Sequence, residues 1–340
     1  MNPLRAELYP SILLVVLTVI AFAVLWSVMD MVLLGASLAI VLMPLHHRIS
    51  RRISPLASSV LVTAGVAAAF LGTAALALHL LVVNEDVLST IFTTIGAWLN
   101  NPATDPAIFG FPIPKPTLGH MLDIGNALFV NYEKTIMNDL PVIVFKAFVF
   151  FFSLSVLFLK GDRIKQRIMS HLPGPLHGYV TKMSDVTVDT LYVVYVVQIA
   201  IAVLTFFIAL PVFWLLGYGN ILFYSFLAAF TELIPVLGSS VAFIIIGAYA
   251  FSLGDARGVL ILFILGYLVV SCLPEISLRP VLVGRRVKIH PILMFIGIIG
   301  GLFTMGLAGF VLGPVIVVLL ITSYRIYIRE KRDTQNPAGS

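Results

Sequence analysis

Eight apolar runs, separated by short polar stretches, constrain this chain more than any motif does. They cover about 10–28, 31–45, 56–83, 141–159, 190–216, 221–251, 258–273 and 291–323. A bilayer-spanning helix needs about 20 apolar residues, and most of these runs come near or exceed that length. A helix that is apolar all round, rather than along one stripe, belongs in a large core or a membrane. Composition decides between the two. Of the 340 residues 60% are hydrophobic and only 11% charged, against about 25% charged in an ordinary soluble domain. So few charges cannot cover a soluble surface without leaving large sticky patches. A soluble enzyme, a disordered chain and a nucleic-acid binder are excluded. The net charge of +5 is not a nucleic-acid footprint, because the basic residues sit beside apolar runs. The expectation is an all-α, polytopic helical protein embedded in the lipid bilayer.

The first run follows Arg5 in the manner of a signal peptide. No small-residue cleavage site follows and the next run starts at once, so it reads as a retained helix. Asp30 reads as a tight turn making a helical hairpin of the first two runs. Ala64–Ala69, Gly72, Ala74 and Ala75 give the third run the small residues of a close-packing face. The single cysteine, Cys272, excludes an internal disulfide and a Cys-rich metal site. The histidines are scattered, and His46-His47 lacks carboxylates at ligand spacing, so neither metal nor cofactor is expected. No Walker loop or nucleophile–base grouping supports an ATP-driven pump or a hydrolase; the chain is not expected to be an enzyme.

Two stretches are polar. Residues 84–140 carry Asn100, Pro102, Pro106, Pro112, Pro114 and Pro116 in a loop-like cluster, after Val87, Ile91, Ile95 and Trp98/Leu99 at helical spacing. They read as a segment of amphipathic helix and Pro-rich loop. Residues 160–189 are basic, with Ile164, Ile168 and Leu172 as one apolar stripe, and read as an interfacial helix. Cytoplasmic loops collect Lys and Arg. Arg48, Arg51 and Arg52, then Lys160–Arg167, then Arg279–Lys288, and finally Arg325–Arg332 are therefore assigned to the cytoplasm with both termini. Residues 84–140, with only Lys115 and Lys134, are assigned outside.

Counting crossings with those assignments favours six full spans and two re-entrant hairpins over eight full spans. The sixth and eighth runs are long enough for two half-helices each. Each has an interruption near its middle, Pro235–Gly238 in one and Thr304–Gly309 in the other. Irregular backbone is tolerated at membrane depth only where protein or a water-filled cavity surrounds it, and paired broken segments point to a transporter's substrate site. The division expected is N-terminal helices 1–83, extracytoplasmic segment 84–140, a span at 141–159, the cytoplasmic region 160–189, a transport core 190–324 and a tail 325–340.

Ionisable groups inside apolar runs cost about 2.5–3.5 kcal/mol on insertion scales, so they are few. Lys146 reads as snorkelling to the outer interface. Glu232 stands just before the break. Pro235 has no backbone N–H and Gly238 tolerates any φ, so carbonyls open beside a carboxylate. Glu232, Pro235 and Gly238 are the candidate cation or transport site; the structural alternative is that Glu232 caps the second half-helix. Glu275 and Arg279 share a helix face at i, i+4. With Pro280 they are the candidate cytoplasmic gate, a structural ion pair being the alternative. His290 reads as structural. Gly306, Gly309, Gly313 and Pro314 are candidate hinge or packing positions in the last run.

The C-terminal half resembles the autoinducer-2 exporter family of permeases. The resemblance is carried by Phe158–Arg163, Leu172-Pro173, Tyr195–Gln198, Leu216-Gly217 and Glu232–Gly238, and then by Arg279–Gly284, His290-Pro291 and Gly309–Pro314 in that order. Members often place an acid and then Asn before the Arg-Pro pair; here Glu275 is followed by Ile276. The resemblance implies a cell-membrane transporter and a homo-oligomer, a pentamer. Its substrate would be a small solute such as a signalling molecule, or sodium and protons in exchange. The primary expectation is a secondary transporter exporting a small solute, with its site where the two broken segments meet. The alternatives are a sodium/proton antiporter with Glu232 and Glu275 as carriers, and an oligomeric scaffold or passive pore.

Overall fold

The computed structural model describes residues 3–101, 107–108, 111–112, 132–233, 238–274, 276 and 291–335. The chain is an all-α polytopic membrane protein. Its helices are α1 (Pro3–Ser50), α2 (Pro55–Val83), α3 (Glu85–Asn100), α4 (Tyr132–His171) and α5 (Gly174–Tyr192), then α6 (Gln198–Leu216), α7 (Ile221–Glu232), α8 (Ser240–Ser252), α9 (Ala256–Ile261) and α10 (Pro291–Gln335). Wider-wound π-helical stretches, Val193–Val197 and Leu262–Cys272, join α5 to α6 and prolong α9. Ala107–Ile108 pairs antiparallel with Phe111–Pro112; this is the only sheet among the described residues. Ser27–Ser50, Pro55–Val83, Asn138–His171, Leu176–Leu216 and Ile292–Ile328 are long and apolar enough to cross a bilayer.

The contacts divide the chain into two compact units. The first joins 1–65, 142–191 and 289–340. In it, α1 is one continuous helix through Asp30, not the hairpin that the acid suggested. A lone carboxylate does not by itself break a helix. It needs a counter-charge, and Lys146 Nζ donates to Asp30 Oδ2 at 2.8 Å. Lys146 therefore does not merely snorkel outward. Asp30 meets Lys146, and His47 Nε2 meets Asp162 Oδ2 at 2.7 Å. A Cβ on Gly35 would lie 2.8 Å from the Phe150 carbonyl oxygen. These partners keep a nearly constant sequence offset, so α1 and α4 run parallel. The basic groups Arg48–Arg52 and Lys160–Arg167 thus follow in the same direction at one end of the unit.

The polar residues 160–189 are not a separate helix. Lys160–His171 prolongs α4, the chain breaks at Leu172-Pro173, and the remainder opens α5. Proline restricts its predecessor to extended backbone, which ends α4 there. α10 is folded back on itself at Gly306, whose φ of 58° and ψ of −137° are outside helical space. Gly297 lies against Gly313, and Gly301 against Gly309, backbone to backbone. In a straight helix, positions 16 apart would be about 24 Å apart, so these contacts make an antiparallel hairpin. Only residues without Cβ allow such an approach.

The second unit joins 66–141 and 192–288. Its core is a layer of aromatic and aliphatic side chains from α3, α6, α7 and α8. Phe213 of α6 stacks on Tyr224 of α7 at 5.4 Å and on Phe243 of α8 at 5.5 Å. α3 buries Leu88, Ile91, Phe92 and Ile95; Ile91 and Ile95 belong to the stripe read from the spacing, while Val87 and Trp98 are only partly buried, with Trp98 edge-on to Phe251 of α8. Most of 84–140 beyond α3 lies outside the described residues. On α2, a Cβ on Gly65 or Gly72 would touch nothing within 4 Å among the described residues.

Candidate functional site

The sixth apolar run is two half-helices, α7 of 12 residues and α8 of 13. Each is about 18–20 Å long, well short of a hydrocarbon core of about 30 Å. They form an antiparallel hairpin, since the chain enters and leaves at the same end. Tyr218, just before α7, donates its hydroxyl to Asp255 Oδ2, just after α8, at 2.6 Å. Asp255 Oδ1 also accepts the Gly258 N–H at 2.9 Å and so caps α9. The hydrogen bond from Tyr218 holds the Asp255 carboxyl below its ordinary pKa. Burial, then the bond to Asp255, pushes the Tyr218 phenol above its own.

At the opposite end of the hairpin lies the break. Glu232 closes α7 and is 1% exposed. Its carboxylate Oε2 accepts the Ser239 N–H at 2.7 Å, where α8 begins. The positive end of the α8 dipole favours a charge there, so the capping role offered as the structural alternative is realised. Gly238 takes φ 53°, the left-handed region, and a Cβ on it would stand 3.1 Å from Glu232 Oε2. Glycine at this position supplies both the turn and the room. Pro235 lies outside the described residues, as do Glu275, Arg279, Pro280 and His290.

Around Glu232 gather three polar side chains that the sequence did not single out as site residues. Gln198 Nε2 donates to the Glu232 backbone carbonyl. The Ser239 and Ser271 hydroxyls are hydrogen-bonded at 2.9 Å. Gln198, Glu232, Ser239 and Ser271 are all buried and come from four elements. Two of them are tied to the π-helical stretches, for Gln198 follows Val193–Val197 and Ser271 lies inside Leu262–Cys272. π-helical turns are frequent at functional sites, because widening the helix offsets side chains and frees carbonyls. A carboxylate, an amide and two hydroxyls inside apolar elements make an oxygen-rich polar centre, and such centres in membrane helices mark substrate or ion pathways. Among the described residues no group of His, Cys, Asp and Glu could hold a metal ion. Gly309, Gly313 and the Pro314 backbone nitrogen sit in the α10 hairpin contact, and Gly306 at its fold.

Broken apolar helices, a buried carboxylate at the break and several helices of bilayer length define a polytopic membrane transport protein. Residues 11–329 match the family described as AI-2E family transporter, and the chain belongs to that family. It is 27% identical to a "Putative transport protein" of Methanothermobacter thermautotrophicus over 320 residues, covering 90% of this chain and 89% of that protein. It is 26% identical to a similarly named protein, MJ1177, of Methanocaldococcus jannaschii over 57% of this chain and 58% of the relative. A relative from Archaeoglobus fulgidus is 32% identical over 45% of this chain and 44% of its own length. The family role is membrane transport, with a small-molecule substrate and membrane lipid as surroundings.

Proposed function

We propose that the protein is a secondary transporter that exports a small solute, of the autoinducer-2 kind, across the cytoplasmic membrane. The observation that carries this reading is the buried Glu232 carboxylate at the junction of two half-helices. Such a junction offers a solute polar partners at depth without a separate pocket of polar helices. In this reading 190–324 is the transport core, with α7–α8 and the folded α10 as re-entrant hairpins. The segment 84–140 lies outside, the 160–189 region and the 325–340 tail lie inside, and the chain works as a homo-oligomer, a pentamer. Glu232 binds the coupling cation or shapes the solute site, with Gln198, Ser239 and Ser271 as neutral ligands. Glu275 and Arg279, beside Pro280, form the cytoplasmic gate. Nothing in this scheme requires covalent chemistry.

Sodium/proton antiport is the second reading, and the same buried carboxylate favours it, since a carboxylate can carry either ion. Proteoliposomes with pH and sodium gradients imposed independently separate the two. Solute efflux lost in Glu232→Gln supports the exporter. Sodium-dependent proton flux lost in the same variant, with no solute moved, supports the antiporter. Efflux untouched by Glu232→Gln removes Glu232 from the mechanism, and no flux over a broad solute panel leaves a scaffold or passive pore.

A further inference from the structure

The second unit holds a cavity that the transport scheme does not use. It is open on one side, has a volume of about 280 Å³ and lies at the base of the α7–α8 hairpin, at the other end from Glu232. Tyr218, Tyr224 and Tyr249 line it with Asp86, and Val87 and Leu253 complete an apolar wall. Tyr218 and Tyr249 stand nearly perpendicular, 85° apart with centroids at 6.0 Å, so two ring planes form a corner. Tyr224 is only 2% exposed and adds a third phenol to the lining. Asp86 stands in the first turn of α3, and a second carboxylate, Asp255, backs the cage through the Tyr218 hydroxyl. No Lys or Arg lines the cavity among the described residues. Arg257, whose charge also acts on Asp255, donates to the Leu215 carbonyl at 3.2 Å, which leaves Asp86 as the carboxylate in the lining itself.

Aromatic faces set at an angle, with a carboxylate beside them, are the chemistry that recognises a substituted ammonium ion. We propose that this cavity binds a small organic ammonium ion. The ion's methyl or methylene groups pack on the tyrosine faces and Val87 and Leu253. Its charge is balanced by Asp86, with Asp255 behind Tyr218. The cavity is of a size for a choline-like ion and too small for most drug-sized ligands. Tyr224 lies on α7 about 12 Å along the helix from Glu232. Under the transport reading, on which only this last step rests, the cage is the outer end of the solute path.

Binding tests the proposal apart from transport. Purified full-length protein in detergent is titrated with tetramethylammonium chloride at ionic strength held constant by sodium chloride, and heat and tyrosine fluorescence are followed. Saturable binding is expected, weakened about tenfold in Tyr249→Leu and in Asp86→Asn but retained in Tyr249→Phe, which keeps the ring face. Asp86 is exposed on α3, so Asp86→Asn tests charge without disturbing the core. Absence of saturable binding overturns the cage, as does equal binding of the neutral isostere neopentyl alcohol, or binding unchanged in both variants. Solute transport without ammonium binding would overturn the cage and leave the transport reading standing. Ammonium binding without transport would support the cage and count against the transport reading.

Discussion

At the scale of single residues, Glu232 joins two roles that one substitution can pull apart. Its Oε2 takes the Ser239 N–H, a bond that an amide oxygen can also accept, whereas the charge needs the carboxylate. Glu232→Gln is therefore expected to melt within a few degrees of wild type while losing coupled transport, and Glu232→Ala to lose both. A Gln variant that melts as low as the Ala variant would make the carboxylate purely structural. Gly238→Ala must place a Cβ in the left-handed region and 3.1 Å from Glu232 Oε2. A loss of about 1–2 kcal/mol is expected, read as a lower melting temperature in detergent. Glu232 was legible in the sequence because a carboxylate inside an apolar run is costly and rare. Gln198, Ser239 and Ser271 were not. Neutral polar side chains are ordinary in membrane helices, and the Ser239–Ser271 partners are 32 positions apart. Only the fold makes them a set.

At the scale of elements, breakers told more than charges. The Thr304–Gly309 interruption was readable because several glycines interrupt an apolar run, and the structure folds α10 back at Gly306. The hairpin contact is then a test of position rather than residue type. Gly301 meets the Gly309 backbone, whereas a Cβ on the adjacent Gly300 would touch nothing within 4 Å. Gly301→Ala is expected to open or distort the hairpin and lower the melting temperature, while Gly300→Ala is tolerated or slightly stabilising through its better helix propensity. Equal effects would mean that the close approach does not hold the hairpin. Asp30 was the misleading residue. Its partner Lys146 is 116 positions away, so a charge that looked like a turn is held inside a continuous helix by a residue no local pattern reveals. Removing either partner leaves an unbalanced charge among apolar elements. Asp30→Asn and Lys146→Met are each expected to destabilise, and the double variant to recover much of the loss. Additive losses would show that the pair is not coupled.

At the scale of the molecule, the latch between Tyr218 and Asp255 decides how the sixth run is threaded. If it sits at one membrane face, cysteines at Asn220 and Leu253, both exposed, react with an impermeant reagent from the same side. Labelling from opposite sides would mean a full crossing between them. A background with Cys272 replaced is sufficient, because the chain has one cysteine. The latch also has a pH window. The Asp255 carboxyl is held low by the Tyr218 hydroxyl, so its contribution is present above the ordinary carboxylate value and lost as pH falls through its own lower pKa. Tyr218 is pushed high, so its contribution is present below the ordinary phenol value and lost as pH rises. The stability difference between wild type and Tyr218→Phe is expected to be flat between about pH 4 and pH 10. It should shrink outside that range in thermal melts, and a difference independent of pH would exclude the bond as its source. The membrane class was legible from the runs alone. The parallel course of α1 and α4 was not, because it depends on side chains that meet only after folding.

The latch has a consequence for synthesis. Tyr218 leaves the ribosome 37 residues before its acceptor Asp255, and until then α7 has neither the carboxylate nor α8 to fold against. A half-helix of 12 residues is too short to be retained by a translocon as a span. The hairpin is thus born as a pair or not at all, and a ribosome stalled between the two residues would leave α7 protease-sensitive while the preceding helices are already protected.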